Sequence, residues 1–344
     1  MLIEMEYPVV PRVAKDGVKE MASVSSRGGK TLVRINSSSL SLLQECLRKS
    51  YYIFKKGFVT HNENTATLFG SAVHAALEVF YSGASKERKI PPNFSREMEL
   101  WSKGEEPSTS KEFLVYRAAQ AFLEKASPLI SLEDSNKRSV TGGMWTLEHY
   151  FKTYIDDPYT VVRDSDGPMV ERGCVFTLYE DDFLIVEYFG TVDVILKHER
   201  TGSILVTDHK TSSVVGQQFY NRLKPNHQYT GYLLAAREFF GLDTDKFLVN
   251  CIEVKAKPKT ARGTPPNFPR QVTVRTEEDY AEFRAVVLYH ARVLAALWDK
   301  PEEEWTLGPV SSCASYAGCQ YLRICSSPQN LRKNIINAEF TETR

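Results

Sequence analysis

The sequence has no run of eighteen or more consecutive apolar residues, so no segment reads as a membrane-spanning helix. Its start, MLIEMEYPVVP, is acidic and contains two prolines, which is not the composition of a secretory leader; the expected setting is the cytoplasm. Charge of one sign is also lacking: 43 Lys and Arg balance 43 Asp and Glu, which excludes a general polyanion binder and leaves only local basic patches. The six cysteines, in a reducing compartment, argue against a disulfide framework and leave metal ligation or plain burial. Internal repeats and long low-complexity tracts are missing as well. A nucleotide-binding P-loop is excluded too, because RGGKT has Val24 where the motif needs a glycine five residues before Gly29, and no strand precedes it. What remains is 344 residues, 42% hydrophobic and 25% charged, enough for one large globular domain with a helical elaboration.

Residues 1–35 mix Pro, Gly, Ser and charge without periodicity and read as a loosely ordered arm that ends in a strand at TLVRI. The rest, 36–344, reads as one domain in three parts. In 36–160 apolar residues recur at helical spacing: NSSSLSLLQECLRKSYYIFKKGF with Asn36 or a following serine as N-cap, TATLFGSAVHAALEVFYSG stopping at Gly83, KEFLVYRAAQAFLEKA, and WTLEHYFKTYI. In 161–300 the period shortens to two. CVFTLYEDDFLIVEYFGTVDVILKHERTGSILVTDHKTS predicts three or four consecutive strands turning at EDD and ERTGS. The helix NHQYTGYLLAAREFFG, the strands KFLVNCIEVKA and RQVTVR, and a helix from Glu277 to about Asp299 follow. The tail 301–344 carries three cysteines.

Alternation along a strand puts Asp208 and Lys210 on one face and His209 on the other. Asp193, in GTVDVIL, lies on the preceding strand, and the turn between them brings the two aspartates together. Two carboxylates about 4 Å apart repel by roughly 4 kcal/mol at an effective dielectric near 20, a conflict that a divalent cation resolves. Oxygen ligands suit Mg²⁺ or Mn²⁺, and Lys210 would then orient the attacking water or stabilise the phosphorane charge. The competing reading is an ordinary surface acid beside an ion pair.

G-x-x-D, then apolar–Asp–x–Lys–Thr, then Gln228 and Tyr232 as Q-x-x-x-Y on a helix, with an upstream G-x-x-x-H at Gly70 and His74, resembles the PD-(D/E)xK nuclease superfamily and within it the RecB-type nuclease domain. The resemblance runs from about Ser37 to Cys325. It implies an α/β restriction-endonuclease-like core, a mixed central sheet flanked by helices, preceded by a helical half and followed by the cysteine tail. It also implies His74, Asp193 and Asp208 as metal ligands with the backbone carbonyl of His209 completing the shell, and Lys210 as the catalytic lysine. Gln228 and Tyr232, one helical turn apart, would support the site or touch the DNA backbone, or else simply pack. Glu171, in MVERGCVF, lies where the family often has a supporting acid.

Cys313, Cys319 and Cys325 form a C-x5-C-x5-C series, and Cys46 lies far upstream; together they make the four thiolates that a 4Fe–4S cluster or a structural zinc requires. The order is similar to the iron–sulfur branch of RecB-type nucleases, although the first C-terminal pair there is commonly two residues apart and the first cysteine is commonly followed by Pro where this chain has Leu47. Cys174 and Cys251 read as core residues. Two patches suit nucleic acid: Lys255–Arg275, with six Lys or Arg and no acid, and LRKSYYIFKKGF, which interleaves Arg48, Lys49, Lys55 and Lys56 with Tyr51, Tyr52 and Phe54.

The resemblance thus implies a metal-dependent DNA exonuclease acting on single-stranded or end-containing DNA in phage or prokaryotic recombination, end processing or CRISPR adaptation. Without a P-loop of its own, any helicase or recombination motor it works with is another chain. Two alternatives stay open: a catalytically idle DNA-binding module of the same fold, and a zinc-stapled interaction protein.

Overall fold

The computed structural model describes residues 21–61, 64–105, 112–260, 263–314 and 318–343. A hairpin comes first, β1 (Ser23–Arg27) and β2 (Lys30–Ile35), turning through Gly28 and Gly29 at positive φ. The helices α1 (Ser37–Glu45) and α2 (Leu47–Ser50), a π-helical turn over Tyr51–Lys55, and the short strand β3 (Phe58–Thr60) follow. The helical half holds α3 (Thr65–Ser82), α4 (Phe94–Ser102), α5 (Leu114–Lys125) and α6 (Val140–Thr153). Then come β4 (Tyr159–Val161), a small ribbon of β5 (Arg163–Asp164) and β6 (Gly167–Pro168), and the meander β7 (Val170–Glu180), β8 (Leu184–His198), β9 (Ile204–Ser212). The remainder is α7 (Gln217–Tyr220), α8 (His227–Glu238), β10 (Lys246–Glu253), β11 (Arg270–Val274), α9 (Glu277–Leu297), α10 (Val310–Cys313), α11 (Leu322–Ser326), α12 (Gln329–Glu339) and β12 (Phe340–Glu342).

The main sheet runs β1-β2-β8-β9-β10-β11, with β4 and β7 also paired to β8. It is mixed: β2 with β8 and β9 with β10 are parallel, the other pairs antiparallel. Strand alternation divides the core between the two faces. Val194, Leu196, Leu205 and Leu248 pack under α3, α5 and α6, while Ile195, Val206, Phe247 and Val249 pack under α8, α9 and the C-terminal tail. This is the mixed α/β architecture of a restriction-endonuclease-like core.

Residues 23–35 depart from the expected loose arm with one terminal strand: they form a complete hairpin that extends the sheet, anchored by Arg27 and Arg34 on the buried Glu187. Residues 1–20 lie outside the described residues. The first predicted helix is broken at Cys46, whose extended backbone ends α1 while its Sγ accepts from Lys49 N–H at the start of α2. Asn36 closes a capping box on α1, and α3 ends at Gly83, as expected.

One feature of β8 positions the site. On a single edge, β2 pairs with residues 184–188 and β9 with residues 194–197, so the strand changes partner in between. That gap leaves Asp193 at a split in the sheet.

Candidate active site

Asp193 precedes the Val194–Thr207 pair, so the antiparallel register brings it beside Asp208 and His209. Its Oδ2 accepts the His209 backbone N–H at 2.8 Å. Asp208 is only 1% exposed, with Lys210 Nζ at 3.0 Å from Oδ1 and 2.9 Å from Oδ2. Only the first of these contacts has hydrogen-bond geometry, so Oδ2 is a buried carboxylate oxygen with no hydrogen bond. Burial raises the pKa of Asp208, Lys210 opposes the rise, and Asp193 adds to it. Burial alone would lower that of Lys210, but Asp208 and Asp193 hold it above the ordinary value, so the amine is charged.

α8 supports this pair from above. Gln228 Oε1 accepts from Lys210 Nζ at 3.2 Å, while its Nε2 reaches Asp208 Oδ1 and the Tyr232 hydroxyl, each at 3.3 Å. The Tyr232 ring lies over Gly190, where a Cβ would meet its Cε1 at 3.0 Å. The glycine of G-x-x-D therefore serves the close approach of a helix to the strand. Gln228 positions the lysine, and the Tyr232 hydroxyl positions Gln228 by accepting from its Nε2.

His74 reaches the same place from α3. Its Nε2 lies 2.7 Å from the His209 carbonyl oxygen, a bond in which the ring nitrogen donates and which turns Nδ1 toward the acids. Nδ1 is 3.4 Å from Asp193 Oδ2 and 4.0 Å from Glu171 Oε1. Two features of the structure lie beside the expected ligand set. The His209 carbonyl is engaged in orienting His74, and Glu171 joins the cluster: ligand atoms of His74, Glu171 and Asp193 all lie within 4.8 Å of one another. Asp208 stands beside this trio, committed to Lys210.

Glu171 sits between Val170 and Arg172, which pair with Val194 and Val192, and so faces Asp193 across the ladder. Its φ is +48°, the left-handed region that costs a non-glycine residue roughly 1–3 kcal/mol. Burial pushes its pKa up, and Asp193, Glu78 and Asp208 push it further. An imidazole nitrogen and two mutually repelling carboxylates form a donor set that a hard divalent cation fits. We expect Glu171→Gly to raise the melting temperature, since glycine relaxes the backbone, while weakening Mn²⁺ binding in calorimetry by tenfold or more. Unchanged affinity would remove Glu171 from the ligand set.

Behind the site lies a polar network that sequence reasoning missed. The neutral His209 ring, its pKa pushed down by burial, stacks on Tyr81 with centroids 5.2 Å apart and lies 2.8 Å from Asn250 Nδ2 through Nδ1. Asn250 also donates to the Tyr150 hydroxyl, at 2.6 Å, and Arg270 donates to Tyr81, at 2.8 Å, and to both oxygens of Asp157, at 2.7 and 2.8 Å. This corrects the reading of Lys255–Arg275 as a phosphate-facing loop. Arg270 is turned inward, Arg275 is 3% exposed and bonded to Thr230 and the Leu223 carbonyl, and Lys255 and Lys257 pair with Glu253 and Glu99. Lys259 is exposed without an ion pair among the described residues, and Arg262 lies outside them. The second patch is corrected as well. Tyr51, Tyr52 and Phe54 are buried at 8%, 1% and 0% exposure, packed with Trp305 and Tyr321 rather than open to stack bases.

The same packing joins the two ends of the fold. Gly308 N–H donates to Cys46 Sγ at 3.2 Å, Tyr321 donates to the Phe58 carbonyl at 2.7 Å, and β12 pairs with β3. Cys46, Cys313, Cys319 and Cys325 are free and half-buried in this junction. Burial raises the Cys319 thiol pKa, with Cys313 and Cys46 adding to it, and that of Cys325, with Cys319 and Cys46 adding. Ser312 donates to the Glu45 carbonyl at 3.2 Å, which sets the neighbouring Cys313 and Cys46 in the same junction. Cys174 and Cys251 are buried in strands, at 1% and 0% exposure.

No curated protein matches this chain. Among the described residues no helix is long and apolar enough to cross a membrane. A family model, the PD-(D/E)XK nuclease superfamily, matches residues 34–326, a span that includes the split sheet, His74, Glu171 and the Asp–x–Lys strand. The chain belongs to the PD-(D/E)XK nuclease superfamily.

Proposed function

We propose that the protein is a metal-dependent deoxyribonuclease that degrades DNA from its ends. The observation that carries the nuclease chemistry is the convergence of His74, Glu171 and Asp193 within 4.8 Å beside the buried Asp208–Lys210 pair. His74, Glu171 and Asp193 would hold Mg²⁺ or Mn²⁺, the ions this family typically uses, with Asp208, ion-paired to Lys210, beside them. When bound, the ion supplies Lewis acidity and a water of lowered pKa. Lys210 Nζ, held by Gln228, would stabilise the negative charge that builds on the phosphoryl oxygens as water adds to phosphorus and the P–O bond to the leaving oxygen breaks. His209 fixes the His74 ring through its carbonyl and the Asp193 carboxylate through its N–H.

Exonuclease action, a role in phage or prokaryotic recombination, end processing or CRISPR adaptation, and a motor on another chain rest on the likeness of the motifs to RecB-type nucleases. The same likeness supports a 4Fe–4S cluster at Cys46, Cys313, Cys319 and Cys325. The junction fits one: four half-buried thiols share it, and Gly308, where a Cβ would lie 2.3 Å from the Glu45 carbonyl oxygen, lets a backbone N–H reach Cys46 Sγ.

The deciding experiment incubates anaerobically purified protein with end-labelled single- and double-stranded DNA and with covalently closed circles, plus Mn²⁺ or Mg²⁺. Release of label from linear DNA with circles left intact is expected. Circles cut as fast as linear DNA would replace exonuclease with endonuclease, and no cleavage of any substrate would leave a DNA-binding module.

A further inference from the structure

A cavity of about 630 Å³ opens between the C-terminal half of α3, the start of α5, and β4, within the size range of small-ligand sites. Its lining includes Glu78, Arg88, Leu114, Arg117, Thr160 and Arg163. Arg88 is 5% exposed and lies over the rings of Phe80 and Tyr81, at 4.8 and 5.0 Å from their centroids. Its Nε and Nη2 are buried with no hydrogen-bond partner, and its guanidinium makes no ion pair among the described residues. Of the acids nearby, Asp157 is paired with Arg270 and Glu87 with Arg117 at 3.6 Å, while Glu78, on the cavity wall, makes no ion pair with Arg88 among the described residues. A buried guanidinium without a counter-ion is costly, and burial lowers its pKa, a penalty that a bound anion removes.

The cavity adjoins the acid cluster. Glu78 is one turn of α3 beyond His74 and Ser82 two turns beyond, or about 6 and 12 Å at 1.5 Å per residue. On the sheet, Val161 pairs with Leu196, three residues past Asp193, or roughly 10 Å. These spans equal about two to four stacked nucleotides at 3.4 Å each.

We propose that this cavity receives a phosphate of the nucleic-acid strand whose scissile linkage lies at the acid cluster, with Arg88 as its ligand and the exposed Arg163 at the mouth. This rests on the nuclease reading above. Arg88, on the cavity wall, supplies the positive charge a phosphate needs, and the apolar wall of Val79, Leu114 and Val161 suits the sugar and base.

The test is an anisotropy titration in EDTA, where nothing is cut, of labelled single-stranded oligonucleotides carrying one uncharged methylphosphonate linkage at successive positions. Wild-type protein is compared with Arg88→Met and Arg163→Glu. Arg88→Met is expected to bind about tenfold more weakly, and one linkage position should cost wild-type protein the same factor while costing Arg88→Met nothing further. Arg163→Glu, on the surface, should lose about fivefold and decides the matter if Arg88→Met does not fold. Both variants binding within twofold of wild type, or no linkage whose effect vanishes with Arg88, would overturn the proposal. So would Arg88-dependent thermal stabilisation by a free deoxynucleoside monophosphate without Arg88-dependent strand binding, which would assign the cavity to a nucleotide instead. Cleavage by wild-type protein with Mn²⁺ is scored separately: its absence with Arg88-dependent binding intact overturns the nuclease reading and leaves the phosphate site standing.

Discussion

Lys210→Gln lowers DNA cleavage by about 10²–10³-fold while Mn²⁺ still binds, as expected for a group that meets charge in the transition state rather than in the resting site. Glutamine can still donate to the buried Asp208, so the change avoids orphaning that carboxylate, a loss that would cost roughly 3–5 kcal/mol. Asp208→Asn gives the complementary result, with both cleavage and ion affinity reduced, because a neutral amide replaces the carboxylate beside the ion. Calorimetry with Mn²⁺ beside a single-turnover cleavage assay separates the two. Lys210→Gln cutting within threefold of wild type would remove the lysine from the chemistry.

Cys46→Ser loses the brown colour expected of the anaerobically purified protein, a broad absorbance near 400 nm with about four irons per chain, and it loses stability at the same time. The separation between Cys46 and the other three ligands is 267 to 279 residues, and closing a loop of that size is worth about 5 kcal/mol in the chain-entropy model. For a chain of this length that corresponds to a fall in melting temperature on the order of 7 °C. Cys174→Ser, a buried strand position away from the junction, stays brown. A colourless wild type with one zinc per chain would keep the clasp and replace the cluster. A wild type with neither metal, whose melting temperature ignores Cys46→Ser, would remove both.

The meander carrying Asp193 and Asp208 was legible because its strands alternate and its turns are polar, and their mutual repulsion pointed to a cation without any coordinates. Long helices with clear caps were equally readable, as at Asn36 and Gly83. What escaped had non-local causes. The strand Ser23–Arg27 is polar and largely exposed, so no periodicity marks it; only pairing with β2 makes it a strand. α6 begins at Val140, earlier than expected, although Gly142 and Gly143 disfavour helix, because the Phe122 ring occupies the space where a Cβ of Gly143 would be. Arg270 read as a DNA contact because its partner Asp157 lies 113 residues upstream and nothing local announces it. Glu171 was legible only through the family resemblance, as a supporting acid, because its left-handed backbone, the sign of a special position, has no linear signature.

The junction between the ends also sets the order in which the chain can be completed on a ribosome. β2 must wait for Leu184 before it gains its parallel neighbour, and β3 must wait for Phe340. At 5–20 residues per second the second wait, 280 residues long, lasts roughly 14–56 s. For most of it Tyr51 and Tyr52 lack the Trp305 and Tyr321 that pack on them, so the nascent chain presents an aromatic surface to the cell long after its own helical half has been made. Such high contact order makes the closure of the N-terminal segment against the C-terminal tail one of the last events of folding.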